Sequence, residues 1–468
     1  MENRRGHRQE IDSLGKVQID SNVAWGSQTQ RAVENFEITN VPISHYPELI
    51  VALAHIKCAC ATANETVGNL PSNKASPIKE VCSEIAAGKH HEFFVVDVIQ
   101  GGAGTSTNMN ANEVIANLAL QKMGFDCGAY EHLHPNDDVN RSQSTNDVYP
   151  TAIRLATLSR MKPLLGAMRK LSDTLHKKAA ETEEIQKVGR TQLQDAVPMT
   201  LGSEFRGWAV TISEDIDRLG ELSGLLREVN LGGTAIGTGI NTPEGFAKLA
   251  IQELRSLSGE EIRSADDLIE ASSDLGAFVI FSGALKRIAI KLSKICNDLR
   301  LLSSGPRAGF GEITLPSVQA GSSIMPGKVN PVIPEVVNQV CYQAIGNDLT
   351  VSIAAESGQL QLNAMEPVII HNVLETMGTL TRAMDVLDSK CVSGIVANAD
   401  RCRELLEHSL VRATELSPLI GYEASTKLAK HAQASGLSLS EAAAEILQPD
   451  IAHRVFTTLK KTNAQSGL

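Results

Sequence analysis

Apolar residues recur at steps of three and four along several long stretches of the central chain, the spacing of one buried helical face. Leu158, Met161, Leu165, Met168, Leu171 and Leu175 form the first series, and Phe205, Trp208, Ile212, Ile216, Leu219, Leu222, Leu226 and Val229 the second. A third runs from Leu275 through Phe278, Leu285, Ile288, Leu292 and Ile295 to Leu299, and a fourth, less regular, takes in Val336, Val337, Val340, Ala344 and Val351. The fifth has Ile370, Val373, Met377, Leu380, Met384 and Leu387. A helix of about 30 residues spans about 45 Å, far more than the three turns of a usual globular helix. Such helices cover their stripes only by lying against one another, and polar or glycine-rich stretches between them let the chain reverse. The pattern predicts a mainly α protein built on a central bundle of five long helices. A second apolar face on that bundle would draw copies of the chain together.

The flanks read differently. Residues 1–50 are turn-rich and predict short segments that wrap a larger body. Helical spacing begins at Leu49 with Ile50, Leu53 and Ile56, returns from Ile78 to Ala87, and again from Asn110 to Met123, the last two ending at Gly88 and Gly124. Beyond Asn398 the helices shorten, with breaks at Gly421 and Gly436. The expected division is a mixed, mostly helical domain over 1–141, the long-helix bundle over 142–397, and a small helical domain over 398–468.

Composition adds limits. The chain has 468 residues, 42% of them hydrophobic and only 4% aromatic, which suits packed helices. A net charge of −11 argues against a nucleic-acid partner. No apolar run reaches the 18 residues of a membrane span, so no membrane partner is expected. Residues 1–10 are charged and unlike a secretory signal, and Glu2 and Glu10 fit poorly in a mitochondrial presequence. The cysteines are scattered, Cys58-Ala-Cys60 has the wrong spacing for paired zinc ligands, and the expected location is the cytoplasm.

The chemistry sits between the helices, in four polar clusters expected on loops: 101–108, 142–147, 189–195 and 321–330. The last is Gly321-Ser322-Ser323-Ile324-Met325-Pro326-Gly327-Lys328-Val329-Asn330-Pro331, a glycine-bounded stretch with two hydroxyls, a lysine and an amide. It is not a phosphate-binding P-loop. Five residues, not four, separate Gly321 from Gly327-Lys328, and Val329 stands where a magnesium-binding hydroxyl is needed. His90-His91-Glu92 lacks the helical histidine pair of zinc proteases. Each hydroxyl taken alone fits a turn or a helix cap as well as a substrate contact.

Taken together, the clusters are more specific. GSSIMPGKVNP resembles the signature of the aspartase/fumarase superfamily, and the other three clusters resemble its regions in the same order, so that the resemblance covers nearly the whole chain. It implies a three-domain protein whose five-helix units join as a twenty-helix core in a homotetramer, with active sites shared between subunits. Within the superfamily, GRTQLQDAVPMT (189–200), NLGGTAIGTGINTPEGF (230–246), PEVVNQVCYQAIGND (334–348) and SGQLQLNAMEPVI (357–369) resemble the branch that deaminates L-aspartate to fumarate and ammonium. Class II fumarases, which hydrate fumarate to malate, compete through SSGPR (303–307), HPNDDVN (134–140) and IGYEASTKLAK (420–430), but characteristically have histidine where this chain has Gln192. Non-catalytic lens crystallins of the superfamily are a third alternative.

The resemblance implies that Ser322 is the catalytic base. It places Thr105, Ser144, Thr145, Asn146, Thr191, Gln192, Ser323, Lys328 and Asn330 on the substrate, and Glu335 in support. It implies no metal in the chemistry and no required cofactor, and leaves open activation by a divalent cation such as magnesium and use of a second anion site near His134, Asn136 and Asp137.

Overall fold

A computed structural model describes residues 6–321, 324–325 and 327–464, the last five without side chains. The protein is mainly α. An N-terminal hairpin, missed in the turn-rich flank, pairs β1 (His7–Asp12) antiparallel with β2 (Gly15–Asp20). Its period-two signal is only Val17 and Ile19, both buried. Four helices follow: α1 (Ser27–Asn35), α2 (Pro47–Thr66), α3 (Ser72–Ala86) and α4 (Thr105–Lys122). α4 starts five residues before the expected Asn110, because Gly104, at φ 84°, serves as its N-cap and the hydroxyl cluster becomes its first turn. α2 opens with Pro47, where the missing N–H costs nothing.

The long helices are α5 (Thr145–Glu181), α6 (Leu201–Leu226), α8 (Gly276–Leu302), α9 (Val332–Glu356) and α10 (Glu366–Lys390). Between α5 and α6 lies the hairpin β3 (Gln186–Thr191) and β4 (Gln194–Thr200), so the 189–195 cluster is a hairpin tip rather than an irregular loop. Val229, read as the end of the second series, belongs instead to β5 (Glu228–Val229), which runs parallel to β6 (Arg263–Ser264), with α7 (Phe246–Ser258) between them. β7 (Ile313–Thr314) pairs with β8 (Val396–Ala397).

The chain forms two compact units, the first made of 1–165, 217–287 and 342–380 and the second of 166–216, 288–341 and 381–468. In the first, Arg154 of α5 donates to Leu225 O of α6 (3.2 Å) and its guanidinium lies over Phe278 of α8. Asp348 of α9 accepts from Ser282 and Lys286 of α8 at 2.9 and 2.6 Å, and Asn347 donates to Thr376 of α10 at 2.9 Å. In the second, Ser172 of α5 donates to Ala209 O of α6 (3.1 Å), and Lys291 of α8 reaches Asp215 of α6 (3.0 Å). Asn338 of α9 donates to Ser293 O of α8, and Lys170 of α5 pairs with Asp388 of α10, both at 3.0 Å. Around these bonds Leu158, Leu171, Leu285, Leu292, Leu374 and Leu387 are buried, each worth about 1.5–3 kcal/mol when fully covered.

The C-terminal helices α11 (Ala399–His408), α12 (Ala413–Ile420), α13 (Tyr422–Ser435), α14 (Leu439–Ile446) and α15 (Pro449–Ala464) carry a cluster of their own within the second unit, built on Leu416, Leu428, Leu439 and Val455. Gly421 and Gly436 separate helices as expected, and Ser438 with Glu441 forms a capping box that starts α14.

Candidate active site

In the first unit, the start of α5 is closed by a reciprocal cap. Ser144 Oγ accepts from the Asn146 N–H (3.2 Å), and Asp147 Oδ1 accepts from the Ser144 N–H (2.9 Å). Asp147 is buried, and its other oxygen accepts from the N–H groups of Gly232 (3.1 Å) and Thr234 (2.9 Å). Burial raises its carboxyl to about 6, still below neutrality, while the backbone donors favour the carboxylate.

This cap sets hydrogen-bond polarity. The Ser144 oxygen already accepts inside the protein, so its proton is left for a partner outside. Thr145 is in the same state, because its Oγ1 accepts from Asn108 Nδ2 at 3.1 Å. Asn146 is the reverse: its Nδ2 donates to Ala235 O (2.8 Å), which leaves Oδ1 as an acceptor. Two hydroxyl donors and an amide acceptor at one helix N-terminus match a carboxylate that has an ammonium beside it.

Thr105 is brought to this cluster by a glycine. A Cβ on Gly104 would sit 2.4 Å from the ring of Tyr149, one turn into α5, so only glycine lets the first turn of α4 come so close. Thr105 is exposed, and its hydroxyl donates to Gly102 O (2.6 Å). Nearby, His134 Nδ1 accepts from the N–H groups of Asn136 and Asp137 at 3.1 and 3.2 Å. His134 and Asn136 line a cavity of about 510 Å³ together with Arg31, Gln28, Ser106 and Tyr130.

The second unit carries the remaining residues. Thr191 pairs with Gln194 across a two-residue turn, Gln192-Leu193, whose residues sit at φ 54° and 61°. Such turns normally take Asn or Gly, and side chains held in this region cost roughly 1–3 kcal/mol each. Thr191 and Gln192 are exposed at the tip. The hairpin is anchored through Arg190, which donates to Glu312 Oε1 (2.7 Å) and stacks over Phe310 at 4.2 Å. Glu312 is fully buried, and Lys187 lies 3.0 Å from its other oxygen and 2.6 Å from Glu204.

Ser322, Ser323 and Pro326 lie outside the described residues. The described ends of that loop meet: a side chain on Gly321 would collide with the carbonyl oxygen of Lys328. Lys328 is exposed and Asn330 half-buried, and Asn330 O accepts from the Val332 N–H (2.9 Å) at the start of α9. Glu335 follows in the first turn of α9, where the helix dipole favours a carboxylate. Thr105, Ser144, Thr145 and Asn146 are therefore together in the first unit, while Thr191, Gln192, Lys328, Asn330 and Glu335 belong to the second.

Residues 15–346 match the sequence profile of a family described as lyase. The chain belongs to this lyase family. An aspartate ammonia-lyase of Pseudomonas aeruginosa is 58% identical over 93% of this chain and 92% of its own length. A crystal structure of a fumarate lyase:delta crystallin from Brucella melitensis bound to cobalt superposes with a TM-score of 0.95 at 55% identity, over 98% of this chain and all of the other. A class II fumarase from Schistosoma mansoni follows at 0.89 and 34%, over 94% and 95%. The lyase thus has the fold of the aspartase/fumarase superfamily.

Sequence reading passed over residues that hold the candidate side chains of each unit from behind. Lys57 carried a signal, a lysine within the apolar stretch from Leu49 to Ala63 of α2. Asn108 stood at the end of the 101–108 cluster without a role of its own, and Glu312, between Gly311 and Ile313, carried no signal at all.

Proposed function

We propose that this lyase catalyses the reversible deamination of L-aspartate to fumarate and ammonium. One observation carries the choice of substrate: identity reaches 58% with an aspartate ammonia-lyase, against 34% with the class II fumarase. The C3 proton of aspartate is weakly acidic, so the carbanion charge must spread into the C4 carboxylate as an enediolate before ammonium leaves C2. In this reading Ser322 takes the C3 proton and Lys328 supplies the cation at the C4 carboxylate, with Asn330 and Ser323 as donors. Thr105, Ser144, Thr145, Asn146 and Thr191 bind the enediolate, the other carboxylate and the ammonium, Gln192 lies near the leaving ammonium or a carboxylate, and Glu335 supports it from α9. The outward hydroxyl protons of Ser144 and Thr145 and the free oxygen of Asn146 support this allocation. The reaction needs no cofactor, and a divalent cation such as magnesium has no step in it.

Purified protein given L-aspartate or L-malate separates the two readings, with fumarate followed by its ultraviolet absorbance. Turnover of aspartate is the expected result. Strong malate turnover with none from aspartate would establish a fumarase instead.

The reading includes a homotetramer with active sites shared between subunits. Support comes from apolar side chains left exposed on α8 and α9, Ile280, Ile290, Tyr342, Leu349 and Ile353, each 51 to 62% accessible in the single chain. Size-exclusion chromatography is expected to give the mass of four chains, and Leu349→Glu with Ile353→Glu to give smaller, inactive species. A fully active monomer would overturn the shared site. The reading also keeps the division at 141/142 and 397/398, supported by α5 starting at Thr145 and α11 at Ala399. A cytoplasmic location is supported by the eight cysteines, all free thiols. No helix among the described residues is long and apolar enough to cross a membrane.

A further inference from the structure

We propose that Lys57 is a positioning residue that, acting through Asn108, fixes the Thr145 hydroxyl as a hydrogen-bond donor towards the substrate carboxylate. The inference rests on Thr145 being a substrate contact, as read above. Lys57 lies on α2, fully buried, and its Nζ is 2.7 Å from Asn108 Oδ1, 2.8 Å from Asn140 Oδ1 and 2.9 Å from Gln143 Oε1. Among the described residues it forms no ion pair. Burying an ammonium without a carboxylate partner is costly, and three charge-assisted bonds to amide oxygens offset that cost while holding the protonated form. Burial pushes the group down to about 7, while the nearby Asp147 carboxylate acts in the opposite direction.

An ammonium has three donors and no acceptor. Each amide that touches it must therefore present its oxygen, which removes the usual freedom of an amide to turn over. For Asn108 the consequence is directional. With Oδ1 committed to Lys57, Nδ2 faces the other way and donates to Thr145 Oγ1 (3.1 Å) and to Asn140 Oδ1 (3.2 Å). The Thr145 oxygen then accepts from within the protein, and its single proton is left to point out of it. A chain of three residues, beginning with a group that can only donate, thus makes the inward side of the Thr145 oxygen an acceptor, so that its proton is not spent inside the protein. Asn140 and Gln143, held by the same ammonium, tie down the turn that leads into α5.

Asn108→Asp tests the relay. The new carboxylate keeps the shape and pairs with Lys57, but it can only accept, so Thr145 must donate inward and turn its lone pairs towards the substrate. The KM for aspartate is expected to rise at least about 10-fold, the range of one hydrogen bond to a charged group, as in Thr145→Val. In the Thr145→Val background, Asn108→Asp should then add less than about twofold, because a pathway through the Thr145 oxygen no longer exists. Lys57→Gln, which releases the amide without adding charge, should raise KM in the native background and be silent in the Thr145→Val one. An unchanged KM in Asn108→Asp overturns the proposal, and so does an equal rise in both backgrounds, since a charge effect or loosened packing would persist without the hydroxyl. If Thr145→Val itself leaves KM unchanged, the reading of Thr145 as a substrate contact fails and takes the relay with it. If Thr145→Val raises KM and Asn108→Asp does not, only the relay falls.

Discussion

Ser322→Ala is expected to lower kcat for aspartate by about 10³-fold or more, with a much smaller change in KM, in steady-state assays of fumarate formation. The reason lies in the reaction. The C3 proton is far less acidic than any group that binds the substrate, so the step that removes it depends on one base placed at that carbon. A serine hydroxyl is a poor base in water. It becomes a competent one only as an alkoxide, or nearly so, stabilised by N–H donors and positive charge in a site from which water is excluded. In the proposed mechanism Lys328 is the cation that the same short stretch supplies, and the enediolate that forms after proton removal calls on it again. Alanine at 322 leaves every binding contact in place, which is why the loss should fall on kcat. Turnover left unchanged by the substitution would remove Ser322 from the mechanism, whatever the substrate proves to be.

The bundle and the site differ in how far they can be read from the chain. Helix periodicity is a local property, and Leu158 to Leu175 or Leu275 to Leu299 repeat it often enough to leave no alternative. The fourth series is the least regular for a physical reason: Asn338, Asn347 and Asp348 are buried on α9 where aliphatic residues would continue the stripe. Each is satisfied by a partner on α8 or α10, a pairing that spacing along one helix cannot reveal. The hairpin tip at Gln192-Leu193 has neither Asn nor Gly, so nothing marked 186–200 as strands. At the site, the types of side chain are legible because hydroxyls and amides gather between helices. Their polarity is not, because it is set by residues far away in sequence, Asn108 for Thr145 and Ala235 for Asn146.

The largest expected effect on stability comes from a residue outside the chemistry. Glu312 is fully buried in the second unit, between Arg190 and Lys187 of β3, while its own backbone holds Leu302 O at 2.9 Å and accepts from the Asn398 N–H at 2.9 Å. One carboxylate thus fastens the hairpin that carries Thr191 and Gln192 to the segment after α8. Glu312→Gln keeps the size and removes the charge, leaving two cations with Glu204 as their one remaining carboxylate among the described residues. Breaking a buried ion pair from one side costs about 3–5 kcal/mol, because the stranded charge stays desolvated. Thermal unfolding of Glu312→Gln should therefore move down by several degrees, and activity should fall with it as the hairpin loosens. Adding Lys187→Met decides between lost charge balance and lost shape. Removing both charges together is close to neutral when packing is kept, and Glu204, being partly exposed, can turn to water. The double variant is thus expected to recover most of the lost stability. A double variant as unstable as Glu312→Gln alone would mean that the carboxylate acts through its hydrogen bond to Arg190 rather than through the balance of charge.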